Sequence, residues 1–528
     1  MTFRQSSKEA TEMVFGIIGP VGCNRELIID TFEKLAPHYS YKVARIKLSD
    51  IIREYCSVPP DDGDQYVRVN TLMTAGSRLR GDTHDNAILA KLAAAEIAKV
   101  RTTSKKRVIY VLDSIKHPEE VEELRNIYGM GFYLFAVHSA QKHREHFLRD
   151  HCLISDRAKR ERLIERDKDE KIGHGQNTRE AFHLADFFLT ESGNNTKVWN
   201  VCERFFDIIF GNPFKTPTFN EYAMYLAFAA SIKSADLSRQ VGAVIAADTD
   251  ILSTGANECP RPGGGTYWPS FDASTNLITD AAGGRDYMNN ADRNAKEKQA
   301  IIDALKLGIS GKALTTLLSN IENSGLNDIT EYGRVVHAEM DAILGCARRG
   351  ISTKGTVLYC STYPCHNCAK HIIASGIGQV IYVEPYPKSK AQDMHKDAIA
   401  VPDDNSQGQK VLFSPFVGVG PRIFADVFSL TLSAGEKLRR KKKDSCEKAE
   451  WEKSRARPRM KIFDSSYVQN EKTVSKEALQ KVRSIPAVVV ERFKDELCGT
   501  ENAAVQARRS LTTGNRKPRR VKAVTNRK

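Results

Sequence analysis

Two short blocks constrain this chain more than any other feature: VVHAEMDAILG at 335–345 and CSTYPCHNCAK at 360–370. The first carries H-x-E (His337, Glu339) and the second P-C-x-x-C (Pro364, Cys365, Cys368). Zinc favours thiolate and imidazole ligands in a tetrahedral shell, and a catalytic zinc leaves one position for water. His337, Cys365 and Cys368 supply three ligands, so the pattern predicts Zn2+ as cofactor. Cysteines at i and i+3 share one helical face. In a first turn, which Pro364 suits as a start, the helix dipole favours the thiolate that binds metal. A zinc staple would want a fourth ligand and has no use for Glu339. His366 lies inside the C-x-x-C turn and is expected to be exposed.

The H-x-E … P-C-x-x-C arrangement is the signature of zinc deaminases of nucleobases. Deamination needs a proton on the ring nitrogen as oxygen attacks and another on the departing amine. One carboxylate beside the water can carry both, and that catalytic role falls to Glu339.

With 528 residues the chain predicts two or three domains, and 41% hydrophobic with 27% charged residues is ordinary for a soluble globular protein. The polar N-terminus lacks the apolar core of a secretion signal, and no apolar run is long enough for a bilayer, so no membrane association is expected. Eleven cysteines with a single C-x-x-C pair suit a reducing cytoplasm, the expected location, better than a disulfide framework. Of the net charge of +14, nine units come from 502–528, which contain no acid. The basicity therefore belongs mainly to the tail and does not mark a nucleic-acid track on the body.

Strand-like and helix-like stretches alternate through the first 210 residues. The apolar runs 13–19, 108–114 and 132–137 are buried-strand candidates, which predicts a parallel sheet covered on both faces. After a linker at 211–217 a second α/β unit follows, interrupted by an insertion at 258–333. The expected fold class is α/β throughout. Its domains are an N-terminal unit at 10–212, a zinc unit at 218–430, and a basic, partly disordered tail at 433–528 with a short helix near 475–497.

Residues 220–385 resemble the deoxycytidylate deaminase family, through AASIKSADLSRQVGAVI (229–245), STGANECP (253–260), HAEMDAI (337–343) and TYPCHNC (362–368). The resemblance implies a cytidine-deaminase-like α/β/α sandwich. It also implies substrate contacts from Asn257 and from the arginine-containing turn at Arg239. Asp341 stands where that family usually carries Asn. The N-terminal region resembles P-loop nucleotide kinases, with GPVGCNRE at 19–26 following a strand and opening a helix, as a phosphate cradle should. Gly19, Gly22 and Arg25 are its candidate nucleotide-binding residues. The loop is degenerate: Asn24, Arg25 and Glu26 replace the second glycine, the lysine and the magnesium-binding hydroxyl, and Glu26 argues against phosphoryl transfer.

The combination is similar to the bacterial anti-phage dCTP deaminases. It implies hydrolysis of dCTP, and often dCMP, to the deoxyuridine nucleotide. The partners it implies are the deoxycytidine nucleotide substrate, a nucleotide effector at the P-loop domain, a small regulatory RNA in some members, and further copies of the chain in a homo-oligomer. Two other readings compete: a deaminase acting on RNA or single-stranded DNA, which the basic tail favours, and an RNA-binding regulator with a P-loop domain. The complete zinc and glutamate set argues against an inactive regulator.

Overall fold

The computed structural model describes residues 12–485 apart from 57, 59–62, 104–106, 169, 171–173, 192, 290–291, 323, 325, 327–330, 387–389, 403–409, 432, 434 and 461–463. Its architecture is mixed α/β, with two six-stranded, parallel-rich sheets and a small two-stranded hairpin. Among the described residues, no helix is long and apolar enough to cross a membrane.

The apolar runs of the first half form β1 (Glu12–Ile18), β2 (Lys42–Lys47), β3 (Val108–Asp113), β4 (Phe132–Ser139) and β5 (Phe187–Glu191). They lie in the order β5-β4-β1-β3-β2, all parallel, with β1 at the centre. β1, β3 and β4 are buried along almost their whole length because helices cover both faces, which is why they read as unbroken apolar runs. One face packs Phe15, Phe32, Phe135, Phe187 and Phe206 into an aromatic core.

The second sheet contains β6 (Gly242–Ala247), β7 (Asp250–Ala256), β10 (Val357–Cys360), β11 (Gln379–Tyr382), β12 (Ile399–Ala400) and β13 (Val411–Pro415). Its order is β12-β13-β11-β10-β6-β7, with β6 antiparallel to both neighbours and the remaining pairs parallel. The insertion contributes the hairpin β8 (Ser270–Asp272) and β9 (Leu277–Thr279) and the helices Arg293–Lys306 and Gly311–Glu322. It is closed at its base by a backbone bridge between Glu258 and Val336.

The halves do not part where composition suggests. β14 (Gly418–Val419) leaves the second unit and pairs antiparallel with β5, completing the first sheet. Glu221 helps to hold that crossing. It closes a capping box with Thr218 on the helix Phe219–Ser231, accepts from Val419 N at 3.0 Å, and pairs with Arg204 of the first unit at 2.6 Å.

Within the expected tail at 433–528, the described residues up to 485 pack against the first unit. Arg459 N bonds Ile209 O at 2.6 Å, Trp451 Nε1 donates to Phe210 O, and Ala456 and Met460 enter the first unit's aromatic core. The helix runs Asp464–Arg483, earlier than the expected 475–497, and packs on the helix Ile88–Thr103. Its fully buried Glu471 takes the Arg101 guanidinium and the Tyr128 hydroxyl. Polar composition hid this layer because its buried acid, Glu471, pairs with the first unit. The strongly basic stretch at 502–528 lies outside the described residues.

Candidate active site

Two helix N-termini converge on one point. His337 is the N-cap of the helix Ala338–Arg348, and Cys365 is the N-cap of the helix His366–Ala374. The otherwise unpaired amide of Cys368, in the first turn, donates to Cys365 Sγ at 3.4 Å. The first helix is brought in by a close backbone approach. A Cβ on Gly255 of β7 would lie 2.2 Å from Ala338 O and 2.5 Å from Ala342 N, so only glycine lets β7 carry the helix this near. Asp341 secures the same contact by accepting from Ala256 N at 3.2 Å.

His337 Nδ1 lies 3.4 Å from Cys365 Sγ and 3.3 Å from Cys368 Sγ, and the three ligand atoms lie within 4.8 Å of one another. A tetrahedron with zinc bonds of about 2.0–2.3 Å has edges of about 3.5 Å, so these separations fit one ion and the donor set suits zinc. Zn2+ is the cofactor of this region. Hydrogen bonding with Cys368 and then with His337 lowers the Cys365 thiol, and the same contact with Cys365 raises the Cys368 thiol, so Cys365 is the thiolate of the pair. Glu339 is almost fully buried beside these ligands, and burial pushes its carboxyl up. A raised carboxyl is suited to picking up and returning protons.

These groups open on a cleft of about 220 Å3 that His337, Glu339 and Cys365 line together with Asn257 and Arg239. Asn257 does more than face the cleft. Its Oδ1 accepts from Val241 N at 2.7 Å and its Nδ2 donates to Arg239 O at 2.8 Å, so the amide pins the 239–241 turn. Arg239 itself is exposed at the cleft. The insertion also reaches the cleft through Asp286, Asp292, Asn294 and Gly333. Sequence reasoning missed these four because nothing in their local pattern says where a long insertion folds back. Cys346 is buried in the apolar core of this unit.

Gly19, Gly22 and Arg25 lie elsewhere, in the loop after β1 and the start of the helix Arg25–Leu35. Both glycines are buried, Arg25 Nε is paired with Asp113 Oδ1 at 2.9 Å, and the loop amide of Val21 donates to the Asp167 carboxylate at 2.9 Å.

Residues 217–384 match the family described as the cytidine and deoxycytidylate deaminase zinc-binding region. Deoxycytidylate deaminase of Enterobacteria phage T4 is 32% identical over 168 residues, which cover 32% of this chain and 78% of the phage protein. The chain belongs to the cytidine and deoxycytidylate deaminase family. Within this deaminase the matched residues include His337, Cys365, Cys368, Glu339 and Asn257. A UPF0200 protein of Saccharolobus islandicus is 29% identical over 182 residues, covering 34% of this chain and 87% of that protein. Among solved structures, the dCMP deaminase of cyanophage S-TIM5 in complex with dCMP and dUMP aligns at 18% identity, covering 38% of this chain and 98% of that one, with a TM-score of 0.21.

Proposed function

We propose that this deaminase hydrolyses deoxycytidine nucleotides, dCTP and also dCMP, to the deoxyuridine nucleotides, and that the resulting loss of dCTP defends a bacterial host against phage. The observation that carries the reading is the convergence of His337, Cys365 and Cys368 on one point, at a cleft that the buried Glu339 also lines. The relatedness to a phage deoxycytidylate deaminase supports the deoxynucleotide.

His337, Cys365 and Cys368 would hold zinc, which supplies the Lewis acidity that lowers the pKa of water at an open fourth position. Glu339 takes the proton from the attacking water and delivers it to N3 of the cytosine. It then carries the second proton to the exocyclic amine, so that the C4–N bond breaks, C4=O forms and ammonia leaves. Burial suits Glu339 to this traffic, because its carboxyl holds a proton more readily than an exposed one. Asn257 fixes the 239–241 turn against which the sugar and phosphates lie, with Arg239 offering a cation at the cleft.

The reading is tested by incubating zinc-loaded protein with dCTP, dCMP, CTP, CMP and a cytosine-containing oligonucleotide and identifying the products by mass spectrometry. Uracil products are expected from dCTP and dCMP. Conversion confined to the oligonucleotide would replace this reading with a polynucleotide deaminase.

A further inference from the structure

The GPVGCNRE loop at 19–26 has the form of a phosphate cradle, yet its anion is already present and comes from the chain itself. Asp167 is fully buried. Its Oδ2 accepts from Val21 N in the loop at 2.9 Å, and its Oδ1 accepts from Lys116 Nζ at 2.6 Å. Lys116 also donates to Gly19 O at 2.8 Å, tying the amine to the loop as well as to the carboxylate. A loop amide joined by a lysine amine is the chemistry that recognises phosphate, and here it holds a carboxylate.

The loop is also roofed. Gly22 has φ +82°, and a Cβ there would lie 2.8 Å from the carbonyl of Arg144 on the helix Gln141–Asp150. The positions that would carry phosphoryl-transfer chemistry are bound up in the same way. Asp113 receives both Arg25 and Arg45, and Arg45 also pairs with Glu26.

Thr178 Oγ1 of the same unit donates to Asp167 Oδ1 at 3.4 Å, and a further partner comes from the deaminase unit. Tyr386, four residues past the end of β11, donates its hydroxyl to Asp167 Oδ2. The guanidinium of Arg144, almost fully buried, lies 4.7 Å from the centre of the Tyr386 ring, and its Nη1 has no partner among the described residues. Two residues earlier, Glu384 is buried against His183 of the helix Thr178–His183, at 3.4 Å. The segment after β11 is thus inserted beside the loop, with its tyrosine hydroxyl on the seated carboxylate.

We propose that loop 19–24 holds the Asp167 carboxylate in place of a nucleotide phosphate, and that this carboxylate is the point on which the deaminase unit docks through Tyr386. The first unit is then an anchor for the deaminase, and a free nucleotide finds the seat taken. Asp167 and Tyr386 are positioning residues and belong neither to the His337, Cys365 and Cys368 group nor to the lining of the cleft beside it.

Hydrogen exchange on the zinc-loaded full chain tests this. In the wild type, ATP or inorganic phosphate at millimolar concentration should leave exchange of residues 19–24 unchanged. Asp167→Asn and Tyr386→Phe should each speed exchange of residues 19–24 by about tenfold or more, as expected for local opening of a buried joint. In Asp167→Asn, inorganic phosphate should slow it again. If Asp167→Asn fails to fold, Tyr386→Phe, which removes a single oxygen, decides the matter. Protection of residues 19–24 by ATP or phosphate in the wild type would overturn the proposal. So would unchanged exchange there in either folded variant.

Discussion

Asn257 shows how a residue can be legible in type and not in role. The sequence places it after a strand and ahead of the zinc motifs, but only coordinates show its amide engaged with the backbone of Arg239 and Val241. Replacing it with Ala removes two hydrogen bonds, one of them buried, and leaves Val241 N unpaired, a loss of about 1–3 kcal/mol from the turn. Asn257→Ala should raise KM for the nucleotide about tenfold or more, with a smaller change in kcat, in steady-state assays. A buried acid offers a second test. Burial pushes the Asp113 carboxyl up, but Arg25 and then Arg45 outweigh this and hold it at about 2. A carboxyl lowered in the folded state contributes stability above its unfolded value of about 3.9, and that stability is lost as pH falls toward about 2. Asp113→Asn should therefore be less stable than the wild type at neutral pH, and the gap should narrow between about pH 4 and 2 in denaturant titrations.

The helices Ala338–Arg348 and His366–Ala374 were readable because their motifs are local: ligands, caps and spacing all fall within a few residues. What the spacing does not show is how the first of them is held against β7. That depends on Gly255, in a strand more than eighty residues upstream. Gly255→Val would drive its side chain into the backbone of Ala338 and Ala342, and overpacking of this kind costs about 1–3 kcal/mol. The displaced helix carries His337 at its N-cap, so the variant should lose zinc as well as thermal stability. Metal analysis beside a melting curve checks both, and full zinc content would show that the close approach is not what sets the ligand. The insertion is the opposite case. Its placement of Asp286, Asp292 and Asn294 at the cleft arises from long-range contacts, such as Arg334 with Asp286, that no periodicity encodes.

At the level of the whole chain, two α/β units were evident from the alternation of apolar runs, while their interlocking was not. β14 crosses into the first sheet, Tyr386 docks beside the loop after β1, and residues 435–485 wrap the first unit. Charged sequence concealed the wrap, because Glu471 is buried with partners supplied by the first unit and Arg459 is buried with its backbone N–H on Ile209 O. A chain ending at 432 would uncover the core contacts of Ala456 and Met460 and leave Arg101 without Glu471. It should melt at a lower temperature than the full chain or fail to stay soluble, as sedimentation and calorimetry would show. Equal stability would mean that the wrap is an accessory.

The central claim is that one zinc, held by His337, Cys365 and Cys368, faces a proton-carrying Glu339. It is tested most directly by ammonia release from dCTP and dCMP in wild type and Glu339→Gln, with zinc assayed in the same samples. Wild type should release one ammonia per uracil nucleotide formed. Glu339→Gln should keep its zinc and react about 10²–10⁴-fold more slowly. A zinc-replete wild type that leaves both nucleotides intact, or a Glu339→Gln variant that matches it in rate, would contradict the account.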